Sequence, residues 1–248
     1  MAVRGHTLVW HVTLPDWILE GEWSREEAIE ILRDHIHTVV GHYRGRVVAW
    51  DVVNEALLGD GSYRDSFWFE TIGPEYIEMA FHWAHEADPA ALLFYNDHSG
   101  EGSGRKADAI FDLVAGMKEA GVPIHGVGLE MHLRVDRYPD PLSIAENIQR
   151  YAAIGLEVHV TEMDVAIPIP VTPEEFRLQA EVYREIVRVC LEAPNCTALV
   201  VWGFSDRQSW VPYFMEKLDE ATLFDRAFRP KPAYYAVKEE LAGRTGLR

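Results

Sequence analysis

Six short apolar runs punctuate this chain, at residues 3–10, 47–53, 91–95, 126–132, 157–165 and 198–204. They are near-continuous rather than alternating, as expected of strands covered on both faces in a parallel sheet. Amphipathic stretches of helical periodicity lie between them. Ser24 with Glu27 forms a capping box. It opens a helix that places Ile29, Leu32, Ile36, Val39, Val40 and Tyr43 on one face. Further helices are predicted over 74–87, 103–120, 141–155, 172–192 and 232–243. Pro near their starts and Gly near their ends punctuate several of them. This alternation predicts an α/β fold. Without a nucleotide-binding glycine turn, a (β/α)8 TIM-barrel type is favoured over a doubly wound sheet. A closed barrel needs eight βα units, and only six are found. The expected fold is therefore an incomplete barrel. Its 248 residues reach a whole barrel's length through generous loops. No Pro- or Ser-rich linker divides the chain, so residues 1–248 are read as one domain.

The C-terminal ends of these runs carry polar groups that packing does not require. They read Trp10-His11, Asn54-Glu55, Tyr95-Asn96-Asp97, Glu130-Met131-His132 and Thr161-Glu162-Met163-Asp164, then Trp202 to Asp206 with Trp210 shortly after. A lone carboxylate after a strand is commonly a cap or a solvated loop residue. Six successive ends bearing such groups form a pattern, at the end where parallel α/β folds gather their active residues. Glu55 and Glu162 supply a carboxyl pair, and Trp rings offer flat apolar faces to sugars. Together they are what a glycosidase needs. His11, Glu130, His132, Glu162 and Asp164 could in principle ligate a metal. Paired Glu with Trp walls fits sugar chemistry better, so no metal and no cofactor is expected. A net charge of −17 disfavours nucleic acid and anionic membranes as partners and is compatible with a neutral substrate. No apolar run reaches the ~18 residues of a membrane span.

The motifs are specific in combination. Residues 5–11, Gly-His-Thr-Leu-Val-Trp-His, with Leu14-Pro15-Asp16-Trp17, resemble a strand of the family 10 glycoside hydrolases, the endo-β-1,4-xylanases. Trp50 to Leu57 resembles that family's acid/base strand, and Tyr95-Asn96-Asp97 with Glu101-Gly102 and Lys106-Ala107 its next strand. Val160 to Asp164 resembles the nucleophile strand. Trp202 to Trp210, and then Leu223 to Ala236, resemble the closing segments. The resemblance implies retaining hydrolysis of β-1,4-xylosidic linkages in xylan or xylo-oligosaccharides. In it Glu162 is the nucleophile and Glu55 the acid/base, with a raised pKa. It also implies substrate contacts from His11, Asn54, Tyr95, Asn96, Glu130, His132, Trp202 and Trp210. Asp164 would stand behind His132, which would orient Glu162.

Two departures from the family carry consequences. Glu130 stands where the family usually has Gln. The family also has two further βα units before the first strand found here, and these grip the non-reducing sugars. Their absence implies a lower kcat and exposed barrel edges open to self-association. Two rivals are a xylan-binding remnant without turnover and another retaining barrel glycosidase, such as a cellulase. The resemblance also implies a disulfide between Cys190 and Cys196, with two buried thiols as the alternative. The family and this Cys pair suggest secretion, although the first residues carry no signal-peptide core. Trp17, Trp23, Trp50, Trp68 and Trp83 are read as packing. His35, His37, His42, His82 and His85 are read as structural or exposed helix residues.

Overall fold

The computed structural model describes residues 2–245. Two compact units make up the chain. The first comprises residues 1–100, 104–128 and 151–157, the second residues 101–103, 129–150 and 158–248.

The first unit contains β1 (Arg4–Gly5), α1 (Asp16–Leu19), α2 (Arg25–His42), β2 (Ala49–Asn54), α3 (Phe67–Ile72), α4 (Tyr76–Ala87), β3 (Leu92–Asp97) and α5 (Arg105–Glu119), and most of β4 (Gly126–Leu129). β1, β2 and β3 pair in parallel, in that order. The capping box at α2 is formed: Glu27 N–H bonds Ser24 Oγ, and Glu27 Oε2 accepts from Ser24 N–H at 2.9 Å. Ala28, Leu32, Ile36 and Val40 follow at four-residue spacing and are fully buried. That stripe is the face α2 lays on the core. Every residue of β2 is buried, as expected of a near-continuous apolar run. Its one acid, Asp51, is paired with Arg4 and with His6. Burial opposes its charge, but Arg4 and His6 prevail and hold the carboxyl below its ordinary range. Gly5 has a steric reason. A Cβ there would clash with the Trp50 ring.

The first predicted strand is shorter than expected. The chain stays beside β2, through Leu8 N–H to Asp51 O at 3.0 Å and Val9 N–H to Val52 O at 2.9 Å. Its ladder is interrupted where the His6 and Thr7 side chains bond Asp51 instead. α1 and α3 were not expected. Each is too short to show a helical stripe.

The second unit contains β5 (His132–Arg134), all but the first residue of β6 (Glu157–Pro168), α7 (Pro173–Glu192), β7 (Cys196–Val201), α8 (Val211–Phe214), β8 (Leu218–Asp219) and α9 (Pro232–Thr245). α6 (Pro141–Ala153) begins in it. β6 pairs in parallel with both β5 and β7, and its far end pairs antiparallel with β8. That last pairing carries β6 three residues past its expected end. The run predicted at 126–132 is two strands, because Met131 takes φ 61° and breaks the ladder. β7 ends before Trp202, and Gly203 at φ 89° turns the chain. Cys190 and Cys196 form a disulfide that ties the end of α7 to the start of β7. Behind the closing segment, buried Lys231 bonds Asp206 Oδ2 at 2.8 Å and Glu220 O at 2.7 Å. Among the described residues no helix is long and apolar enough to cross a membrane.

Candidate active site

In the first unit the end of β2 presents Asn54 and Glu55. Glu55 has φ 54°, a left-handed backbone that a non-glycine residue holds only when its surroundings over-determine it. Three bonds do so here. Glu55 N–H donates to Asn96 O at 2.9 Å, Arg64 Nε donates to Glu55 O at 2.9 Å, and Ala56 N–H donates to the Tyr95 hydroxyl at 3.2 Å. Asn54 Nδ2 donates to Glu55 Oε1 at 3.2 Å, and Asn54 Oδ1 accepts from Asn96 at 2.7 Å. Burial raises the Glu55 pKa, and the nearby Asp97 carboxylate raises it further. The Trp10 indole, Arg64 and Lys106 pull the other way without prevailing. A carboxyl so placed retains its proton to higher pH, as a general acid must. His11 is pushed down to about 4, first by burial and then by Arg64, His98 and Lys106. It is a neutral imidazole near neutral pH.

In the second unit β6 places Glu162 and Asp164 two residues apart, on one face of the strand. The Met131 turn carries His132 between them. Its Nε2 lies 3.3 Å from Glu162 Oε2, and its Nδ1 lies 3.1 Å from Asp164 Oδ1. Burial disfavours the His132 charge. Hydrogen bonds to Asp164 and Glu162 overcome it and raise the pKa to about 10. His132 is therefore an imidazolium held between two acids. Trp210 Nε1 donates to Asp164 Oδ2 at 2.6 Å, and its ring stands edge-on to His132 with centroids 4.8 Å apart. Trp202 lies 6.4 Å from the same ring. Both indoles are partly exposed, so each has a face to offer. Glu130, 2% exposed, places Oε2 at 3.6 Å from the same His132 Nε2 that bonds Glu162. Donor atoms of Glu130, His132 and Glu162 lie within 4.8 Å of one another.

The raised His132 pKa has a stability consequence. A group whose folded pKa exceeds its unfolded value stabilises the fold below the unfolded value. That contribution is complete below about 6.5 and is lost as pH rises through about 10. Denaturant midpoints measured across this window should fall in the parent chain. They should fall less steeply in His132→Asn.

Tyr95 and Asn96, expected among the substrate contacts, are fully buried. Tyr95 donates its hydroxyl to Asp97 at 2.6 Å and accepts from Ala56, and Asn96 bonds Asn54. These bonds tie both side chains to the segment of residues 54–56. Trp50 and Trp68 are buried as expected, but Trp17 is 54% exposed. With Trp10 and Trp68 it lines a cleft of about 490 Å³ in the first unit. Arg64 and His98 were not anticipated, and Asp97 and Lys106 were noted in the motifs without a role. Lys106 did leave a signal. It sits four residues before Ile110 and eight before Val114, on the apolar face of α5. A charge there must be paired, and Asp97 pairs it at 2.7 Å.

The sequence profile of glycosyl hydrolase family 10 matches residues 1–240. Endo-1,4-beta-xylanase B of Thermotoga neapolitana is 47% identical over 96% of this chain. Endo-1,4-beta-xylanase A of Humicola insolens is 42% identical over 98% of it. The chain spans 69% and 65% of those two relatives' lengths. The crystal structure of xylanase 10B from Thermotoga petrophila RKU-1 in complex with xylobiose superposes with a TM-score of 0.96 and 47% identity. It covers 98% of this chain, and this chain covers 75% of it. The fold class is α/β of the (β/α)8-barrel type, and the match takes in part of that barrel.

Proposed function

The chain belongs to glycosyl hydrolase family 10 and is of the endo-1,4-β-xylanase class, and from that premise we propose how its residues divide the work. Glu162 is the nucleophile and Glu55 the acid/base of a retaining double displacement on xylan or xylo-oligosaccharide. In the first step a Glu162 oxygen bonds the anomeric carbon while the Glu55 proton passes to the glycosidic oxygen, which leaves as a hydroxyl. In the second, Glu55 takes a proton from water. The water oxygen bonds the same carbon and the bond to Glu162 breaks, so configuration is retained. The observation that carries this reading is the contrast in surroundings. Burial and Asp97 favour the proton on Glu55, whereas Glu162 is hydrogen-bonded to an imidazolium. Asn54 is placed beside Glu55 to bond a sugar hydroxyl, and Trp202 and Trp210 supply apolar faces. Reducing sugar released from xylan, but not from carboxymethylcellulose, is the expected assay result. Xylan binding without release would favour a non-catalytic role.

Glu130 is expected to govern the acidic limb of the pH–rate profile, which reports ionisation of the nucleophile. Glu130 and Glu162 share one His132 nitrogen, so two like charges compete for one cation. Glu130→Gln removes one. The acidic limb of kcat/KM should move down by about 1 pH unit, and an unchanged limb would contradict this.

Self-association is a further part of the reading. Among the described residues, β1 pairs with β2 alone and β7 with β6 alone. Val3 beside β1 and Val200 on β7 are exposed. Unpaired edges with apolar neighbours favour pairing with a second copy. Light scattering should show concentration-dependent association, and a stable cooperative monomer would contradict it.

A further inference from the structure

Lys231 is a buried cation that the chemistry above does not use. It stands immediately before α9 and is 5% exposed. Its ammonium lies 2.8 Å from Asp206 Oδ2 and 2.7 Å from Glu220 O, with Glu220 Oε2 at 3.8 Å and the Phe176 ring centroid at 5.4 Å. A buried charge must be paired, and Asp206, itself buried, is the partner. Glu220 has φ 52°, a left-handed backbone that needs support from its surroundings.

Two arms lead from this ammonium to one carboxylate. The first runs through Asp206. Its Oδ1 accepts from Thr222 N–H at 2.8 Å, and its own N–H donates to Phe224 O at 3.0 Å. Asp206, fixed in this way, opens the single turn Asp206–Gln208 that leads to Trp210. Trp210 Nε1 donates to Asp164 Oδ2 at 2.6 Å. The second arm runs through Glu220 O. A carbonyl has two lone pairs, and this one also accepts from Gln179 Nε2. The other proton of that amide goes to Val165 O at 2.7 Å. Val165 N–H donates to Ala221 O at 3.0 Å. Both backbone groups of the residue after Asp164 are therefore held by this network. Asp164 Oδ1 stands 3.1 Å from His132 Nδ1, and His132 Nε2 stands 3.3 Å from Glu162 Oε2.

We propose that Lys231 is a positioning residue for the nucleophile: through both arms it fixes Asp164, and with it the place of His132 against Glu162. This rests on the reading of Glu162 as nucleophile. Asp164 gives one oxygen to His132 and the other to Trp210. A shift of either arm turns that carboxylate and draws the imidazolium away from Glu162. A misplacement of about 1 Å at a reacting group can cost about 10²-fold in rate. Lys231 exchanges no proton in either step.

Lys231→Met alone leaves Asp206 as an unpaired buried charge. The test variant therefore combines Lys231→Met with Asp206→Asn, which removes both charges. Ile144→Val, a fully buried change on α6 that lies in neither arm, is the comparator for lowered stability. The first readout is the ¹H–¹⁵N signal of the Trp210 indole, assigned with Trp210→Phe. It should lie downfield in the parent chain, as a short bond to a carboxylate requires. It should move upfield in the double variant and stay in place in Ile144→Val. The second readout is kcat/KM, which should fall by about 10-fold. The factor should be the same on xylo-oligosaccharide and on an aryl β-xylobioside with an acidic phenol, because the arms end at the nucleophile and not at the proton donor. An unmoved indole signal, a fall confined to the oligosaccharide, or an equal response in Ile144→Val would overturn the proposal. Asp206→Asn alone leaves Lys231 beside the Glu220 carboxyl, and it carries the same test should the double variant not fold. Glu162→Ala run alongside separates the two readings. Full activity of that variant would defeat the nucleophile assignment itself, whatever the indole signal shows.

Discussion

Glu162→Ala should reduce xylan hydrolysis by roughly 10⁴-fold or more, the scale of loss when a nucleophile acting in a concerted set is removed. The loss should fall on kcat for every substrate, good leaving groups included, because no other group forms the glycosyl ester. Glu162 also accepts a hydrogen bond from His132 Nε2. Its removal leaves that imidazolium with Asp164 and Glu130. Glu162→Gln keeps the shape and a hydrogen-bonding group, so comparing the two variants separates lost chemistry from lost packing. Equal inactivity in both is the expected pattern, with the lower thermal midpoint in Glu162→Ala, which loses the bond to His132. Substantial residual turnover in either would remove Glu162 from the nucleophile's role.

Glu55→Ala should behave differently. A positioned general acid contributes about 10²–10⁴-fold. That full loss is expected only where the leaving sugar needs a proton, as in xylan. An aryl glycoside with an acidic phenol should still form the glycosyl-enzyme, and the slow step then becomes its breakdown, which lacks a base. Added azide needs no base, so it should restore turnover and yield a glycosyl azide of retained configuration. An inverted product would show that azide attacks the sugar directly, with no enzyme-bound intermediate.

Much of this site was legible at the level of strand ends. A residue at the C-terminal end of a buried parallel strand has few structural duties, so Glu55, Glu130, His132, Glu162 and Asp164 stood out together. Which neighbour faces a substrate was not legible. Period-two reasoning needs one wet face and one dry face. In β3 the residues from Leu93 to Asp97 are all buried, so alternation gives no information on Tyr95 and Asn96. The broken strand at Met131 was hidden by its apolar composition. It is set by a left-handed backbone and by the bond from Met131 N–H to Glu101 Oε1 at 3.2 Å, neither of which leaves a local signature. α2 was legible to its first residue because a capping box writes its start in two side chains. Arg64 and His98 depend on loop paths that only the fold determines. Lys106 could have been found, since a cation on an apolar helix stripe points to a buried partner.

Turnover by this chain should pass through a covalent bond between Glu162 and a xylosyl anomeric carbon. A 2-deoxy-2-fluoro aryl β-xylobioside slows both steps but retains an activated leaving group, so the glycosyl-enzyme accumulates. Intact mass spectrometry should show the gain of one fluorinated xylobiosyl group. Peptide mapping should place it on Glu162, and Glu162→Gln should remain unlabelled. A label on Glu55, Glu130 or any other residue, or no label under conditions where xylan is hydrolysed, would contradict the account.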